Sequence, residues 1–220
     1  MGNPESEDIW LAAFKLEFEN HEPERARILL RKVRERGASE RVWMKSAIVE
    51  REVGDVAAER TLLEEGLVKY PGFWKMWLML GQLEKNSGDA AAERAAYAKG
   101  YRRCHAAVPL WTAAAALEVR EGQPAKARAI LEQARLRNPA TEELWLAAVR
   151  QERAGAAAGP GGASGDPESV RASEALMAKA LQECPGSGML WAEAVHFLPH
   201  TISTISIIPN FELSTLIPAL

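Results

Sequence analysis

The chain has 220 residues, 47% of them hydrophobic and 26% charged, with a formal net charge of -3. That balance suits helices that bury one face each, and it lacks the basic excess of proteins that hold nucleic-acid backbones by counterion release. There is no run of about 18 apolar residues and no charged-then-apolar leader, so neither a membrane span nor a signal peptide is expected, and the chain reads as intracellular. Cys104 and Cys184 are too few for a disulfide framework or a four-ligand zinc site, which fits a reducing compartment.

Six of the seven tryptophans, Trp10, Trp43, Trp77, Trp111, Trp145 and Trp191, follow one another at spacings of 33, 34, 34, 34 and 46 residues. A fixed period of this size is the mark of a helical repeat array. Residues 1–6 read as the end of a preceding repeat, because Pro4 precedes Trp10 by six positions as Pro71, Pro139 and Pro185 precede their own tryptophans. Met1 to Ser6 also matches the short myristoylation pattern. The parallel of Asn3-Pro4 with Asn138-Pro139 accounts for the same residues without lipidation.

Each unit then opens on a first helix. Seven residues after the tryptophan stands a glutamate, Glu17, Glu50, Glu84, Glu118 and Glu152, two turns away and therefore on the same side of the helix. Four residues after the tryptophan come Phe14, Ala47, Gly81, Ala115 and Val149, mostly small, as close helix packing requires. Gly54, Gly88, Gly122 and Gly155 are expected to end their helices in the left-handed conformation. Pro23 and Pro124 suit the first turn of a second helix, where the missing N–H is not needed.

The second helix carries Leu29, Leu62, Ala96, Ile130 and Leu176 in register, with Leu30, Leu63, Tyr97, Leu131 and Met177 widening the apolar stripe. Between Trp145 and Trp191 the residues 156–167, AAAGPGGASGDP, account for the 12 extra positions and read as a flexible insertion between the fifth unit's helices. The expected organisation is an array over 7–198, five full units and the start of a sixth, followed by a divergent, irregular tail over 199–220. The fold class is all-α, a right-handed superhelical solenoid of helix-turn-helix units.

Two repeat families share this length. Trp77 with Leu80 and Gly81 looks like the tetratricopeptide pattern, but the glutamate seven residues after each tryptophan resembles the half-a-tetratricopeptide (HAT) repeat of RNA-processing proteins. The HAT repeat adds an Ala-Arg pair on the second helix. Ala26-Arg27 and Ala127-Arg128 supply it, and Arg60 and Arg94 keep the arginine; Glu174 replaces it in the fifth unit. The runs Asn3 to Glu17, Ala127 to Pro139 and Leu176 to Val195 closely resemble the pre-mRNA processing factor 6 family, over roughly 3–195. This resemblance implies an interior part of a nuclear HAT-repeat scaffold that bridges the halves of the spliceosomal tri-snRNP, with snRNP and other spliceosomal proteins as partners.

The residues themselves point to structure before chemistry. The periodic tryptophans are expected in the core, not as base-stacking platforms. The glutamates are spaced along a stack and do not converge on one cleft, so each is expected to bond the arginine of its own second helix, Arg27, Arg60, Arg94 or Arg128, or nearby backbone N–H groups. The basic run Arg25, Arg27, Arg31, Lys32, Arg34 and Arg36 reads as a solvated face, with weak direct RNA contact as the alternative. Cys104 and Cys184 hold equivalent positions two repeats apart and are read as packing residues; His105 stands where other units place proline and is read as a loop residue. There is no phosphate loop, nucleophile-base pairing or metal-ligand spacing, so the expectation is no enzyme, no cofactor, no metal and no small-molecule substrate. A generic tetratricopeptide adaptor for peptide termini is the other alternative, and the partner-binding residues stay unknown.

Overall fold

A computed structural model describes residues 7–157 and 167–197. The described residues form eleven α-helices: α1 Glu7–Glu19, α2 Pro23–Glu35, α3 Glu40–Val53, α4 Val56–Lys69, α5 Trp74–Ser87, α6 Ala90–Arg103, α7 Val108–Arg120, α8 Pro124–Arg137, α9 Glu142–Ala157, α10 Pro167–Glu183 and α11 Gly188–Phe197. No strand occurs among the described residues. The fold is the expected all-α series of helix-turn-helix repeats.

The chain divides into two compact units, Met1–Gly122 and Gln123–Leu220. In the first, each helix from α1 to α7 packs on the next in sequence, and α5 also touches α7. In the second, α8, α9, α10 and α11 pack in order, with α9 also against α11. Contacts of this near-neighbour kind define a repeat array, in which each hairpin is stabilised by the one beside it.

The turns follow from their residues. Gly54 ends α3 at φ 86° and Gly88 ends α5 at φ 78°, the left-handed region open to glycine. Beyond each, the N–H of Asp55 or Asp89 donates to the carbonyl of Glu50 or Glu84. The same aspartates then cap the second helices, accepting from Ala58 N at 2.9 Å and Ala92 N at 2.8 Å. In the first repeat the glycine position is held by His21, which takes φ 59°. Pro23 and Pro124 begin α2 and α8 as expected.

One boundary differs from expectation. Gly155 does not end α9, which runs on to Ala157, and α10 starts at Pro167. Ala156, Ala157 and Pro167 are therefore helical: alanine propagates a helix readily, and proline fits its first turn. The rest of the insertion, 158–166, lies outside the described residues, as do residues 1–6 and the tail over 199–220.

The first and second helices each contribute a column of residues to the core. Phe14, Ala47, Gly81, Ala115 and Val149 on the first helices are all buried, and so are Leu30, Leu63, Tyr97, Leu131 and Met177 on the second. In the neighbouring column Leu29, Leu62, Ile130 and Leu176 are only half-buried, at the stripe's edge, whereas the smaller Ala96 is buried. Residue sizes compensate across a hairpin. A Cβ on Gly81 would lie 2.1 Å from the Tyr97 ring, so the large phenol occupies space that the glycine leaves.

Candidate functional site

The repeat positions singled out by sequence come together at the junctions between repeats. Arg27 Nε donates to Glu50 Oε1 at 3.0 Å, and its Nη2 closes a second, short bond to Glu50 Oε2. Arg60 bonds Glu84 through Nε and Nη2, both at 2.7 Å. Arg94 bonds Glu118 at 2.5 and 3.2 Å, and Arg128 Nε lies 2.6 Å from Glu152 Oε1. Three of the four pairs use the two-pronged guanidinium–carboxylate geometry, which fixes orientation as well as charge.

These pairs correct the sequence expectation. Each arginine reaches the glutamate of the following repeat and not that of its own. The physical reason is placement: the glutamate face of a first helix is the face laid on the preceding second helix, so its partner must come from there. Hydrogen bonding to the carboxylate, set against partial burial, holds the Arg27, Arg60 and Arg94 guanidinium groups above their ordinary pKa. Glu17, in the first repeat, has Arg25 at 3.7 Å. In the fifth, where Glu174 replaces the arginine, α9 is tied to α11 by Arg150 and Glu193 at 2.7 Å.

Two further buried carboxylates were not anticipated. Glu59 and Glu93 occupy the position of Ala26 and Ala127, and both are almost fully buried. Arg51 from the same hairpin pairs with Glu59 at 2.7 Å, whereas Glu93 is held by Arg120 of the next repeat. The third and fourth repeats are thus linked by two reciprocal bridges, Arg94–Glu118 and Arg120–Glu93.

The tryptophans sit at the same junctions. Trp43, Trp111 and Trp145 are buried, and Trp10, Trp77 and Trp191 are half-buried. The indole N–H of Trp77, Trp111, Trp145 and Trp191 donates to the carbonyl six residues earlier, that of Pro71, His105, Pro139 and Pro185, at 2.8–3.1 Å. The proline position is therefore an acceptor that anchors the ring, and His105 does the same through its backbone. Each of these four rings gains its polar partner without a side chain being spent on it.

A residue of the preceding second helix covers the ring. Arg34 lies 5.5 Å from the Trp43 centroid, Tyr101 stacks on Trp111 at 4.2 Å, and Arg135 lies 4.4 Å from Trp145. Burial pushes the Arg34 and Arg135 guanidinium groups below their ordinary pKa, a cost offset in part by the cation–ring contact. In the same register Leu67 and Leu181 belong to the clusters that receive Trp77 and Trp191. One position earlier the second helices from α4 onward carry small residues, Gly66, Gly100, Ala134 and Ala180, where α2 has Val33. A Cβ on Gly66 would meet Met76 Sδ at 2.8 Å, and one on Gly100 would meet Trp77 Cβ at 2.8 Å and Leu110 at 3.1 Å.

The basic run on α2 is divided among these tasks. Arg27 is held by Glu24 and Glu50, Arg25 lies near Glu17, Arg34 is on Trp43, and Arg36 lies 5.4 Å from the Trp10 ring. Arg31 and Arg34 also line a groove of about 270 Å³ beside Glu24, Glu50 and Asp55, where both charge signs meet. Cys104 Sγ contacts the Gly72 carbonyl at 3.2 Å; Cys104 and Cys184 are both unbonded thiols, half-buried, with pKa raised by burial. Among the described residues no three of His, Cys, Asp and Glu gather as a metal site, and no helix is long and apolar enough to cross a membrane.

Comparison with known proteins agrees with this geometry. The tetratricopeptide repeat family matches residues 108–150. Protein STABILIZED1 of Arabidopsis thaliana is 70% identical over 54 residues, 24% of this chain; the match spans 5% of that protein. Among solved structures, the MamA protein superposes with a TM-score of 0.54 at 11% identity, over 80% of this chain and 90% of that one. TTC0263, a thermophilic TPR protein of Thermus thermophilus, gives 0.51 at 16% identity over 88% and 99% of the two chains. YrrB, described as a TPR protein with an unusual peptide-binding site, gives 0.51 at 14% identity over 88% and 94%. At such low identity these likenesses concern the fold, and the fold they share with this chain is the α-helical repeat of tetratricopeptide type.

Proposed function

We propose that this chain is a protein-interaction module of a nuclear splicing scaffold, contributing to assembly or bridging of the tri-snRNP through contacts with snRNP and other spliceosomal proteins. The observation that carries the scaffold reading is where the recurrent polar groups go. The arginine–glutamate pairs between repeats join one helix to another, and the four indole N–H groups described tie first helices to the turns before them, which leaves the remaining helix surfaces for recognition by shape. Support for splicing in particular comes from the extended resemblance over roughly 3–195 to the pre-mRNA processing factor 6 family. The 70% identity over 54 residues with Protein STABILIZED1 adds that part of the chain is shared far beyond the level of a generic repeat. In this reading the chain carries no chemical step.

Affinity purification of the tagged chain from nuclear extract, with and without nuclease, tests the proposal. Recovery of tri-snRNP proteins in both samples is the expected result. Recovery lost on nuclease treatment assigns the association to RNA, and recovery of peptide-terminus partners alone assigns the chain to the generic adaptor class.

A further inference from the structure

Trp74 stands outside the repeat period, at a point where the turns between repeats form a row. Tyr70 Oη donates to the Ala38 carbonyl at 2.6 Å and Cys104 Sγ to the Gly72 carbonyl at 3.2 Å, so the turns 36–39, 70–73 and 104–107 lie side by side within the first compact unit. Trp74 opens α5 directly after the middle turn; the same register holds Glu40 on α3 and Val108 on α7. Its ring is half-buried. Among the described residues its N–H finds no acceptor, and the nitrogen is not one of the buried polar atoms, so this indole keeps a free donor at the surface.

The charge around it has one sign. Segments 69–75 and 102–109 hold Lys69, Lys75, Arg102 and Arg103 and no Asp or Glu. Lys69 is committed to the Trp43 ring at 4.4 Å. Lys75, Arg102 and Arg103 are exposed and, among the described residues, enter no ion pair, in contrast to the arginines that link the repeats. Helices α4, α5, α6 and α7 already pack on one another in order, which fills their stacking faces and leaves this row of turns outward.

We propose that Trp74, Lys75, Arg102 and Arg103 form a docking site for an acidic, extended segment of a partner protein. Its carboxylates meet the three cations and the indole N–H, and an aliphatic side chain lies on the Trp74 ring. A tryptophan beside arginines is the residue set that anchors protein interfaces, and unpaired cations select an acidic partner. The turn at Gly72, where an added Cβ would touch nothing within 4 Å, leaves room for that partner's backbone. A nucleic-acid strand is the poorer occupant: it needs successive stacking platforms, whereas the adjoining turns put Glu40 and Val108 in the register of Trp74, and the net charge of -3 opposes a phosphate backbone. The proposal rests on the reading of the chain as a protein-interaction module and not on a role in splicing.

The test uses the full chain and a labelled peptide in which glutamates flank a single leucine, with its glutamine counterpart and a single-stranded uridylate oligonucleotide as comparison probes. Saturable binding of the acidic peptide is expected, and none of the glutamine counterpart. Arg102→Glu combined with Arg103→Glu is expected to weaken binding more than about tenfold, and Trp74→Ala to do the same; reversing Arg31 and Lys32, exposed cations on α2, should leave it unchanged. The arginine substitutions fall on exposed side chains and keep the thermal melt, so they decide the matter even where Trp74→Ala lowers it. Absence of saturable binding, an affinity indifferent to the arginine substitutions, or an equal loss on reversing Arg31 and Lys32 overturns the proposal. Tighter binding of the oligonucleotide, weakened by the same substitutions, overturns it by giving the site to a nucleic acid. A chain that binds no acidic peptide yet recovers proteins from nuclear extract loses this site and keeps the interaction reading.

Discussion

Trp111 shows how one side chain serves two repeats. Its ring is fully buried under Tyr101 of the preceding second helix, and its N–H is satisfied by the His105 carbonyl. Replacement by alanine removes the ring and leaves a cavity at the junction, so Trp111→Ala is expected to destabilise the fold by about 3–5 kcal/mol; chemical denaturation of the variant checks this. Tyr97 gives a pH-dependent signature. Burial, reinforced by Glu93 and opposed by Arg120, pushes its phenol up to about 12. The folded state therefore keeps a proton that the unfolded chain releases near its ordinary value of about 10. Stability should fall as pH rises from about 10 through about 12, and Tyr97→Phe should remove that part of the decline in melts recorded across the range.

Elements were legible where residue type and conformation coincide. The 34-residue tryptophan spacing, the glycines at Gly54 and Gly88 and the prolines at Pro23 and Pro124 located helices and turns because each has a local steric reason to be there. The pairing of elements was less legible. Arg27 lies 10 positions from Glu17 and 23 from Glu50, and spacing alone does not choose between them, since only the stacking of hairpins decides which carboxylate faces it. The burial of Glu59 and Glu93 leaves no mark in the sequence, because isolated glutamate is rarely buried and the arginines that make burial tolerable come from other helices. The residues covering the tryptophans, Arg34, Leu67, Tyr101, Arg135 and Leu181, share a register but no chemical type. Only the column gives them away.

Size matching within a hairpin offers an element-level prediction. Gly81 on α5 and Tyr97 on α6 are fitted to each other, so Gly81→Ala should force the ring aside and destabilise the hairpin by about 1–3 kcal/mol despite alanine's better helix propensity. Tyr97→Leu, which restores the pairing seen at Ala47 with Leu63, should relieve that loss when combined with Gly81→Ala. A double variant no more stable than Gly81→Ala alone would show that the clash lies elsewhere.

For the molecule as a whole, stability passes from each repeat to the next within each compact unit. Arrays of this kind behave as sums of repeat stabilities and nearest-neighbour terms, and here the neighbour terms are the covered tryptophan, the small-residue approach and the arginine–glutamate link. The link is also where the structure departs most plainly from the simplest sequence reading, in which each repeat closes its own bridge. A pair of double-mutant cycles on the full chain separates the two arrangements: Arg60 with Glu84 of the next repeat, and Arg60 with Glu50 of its own, each residue replaced by alanine and each variant unfolded chemically. The structure predicts a coupling of about 0.5–3 kcal/mol for Arg60 with Glu84 and additive effects for Arg60 with Glu50. Coupling confined to Arg60 and Glu50 would contradict the inter-repeat ladder.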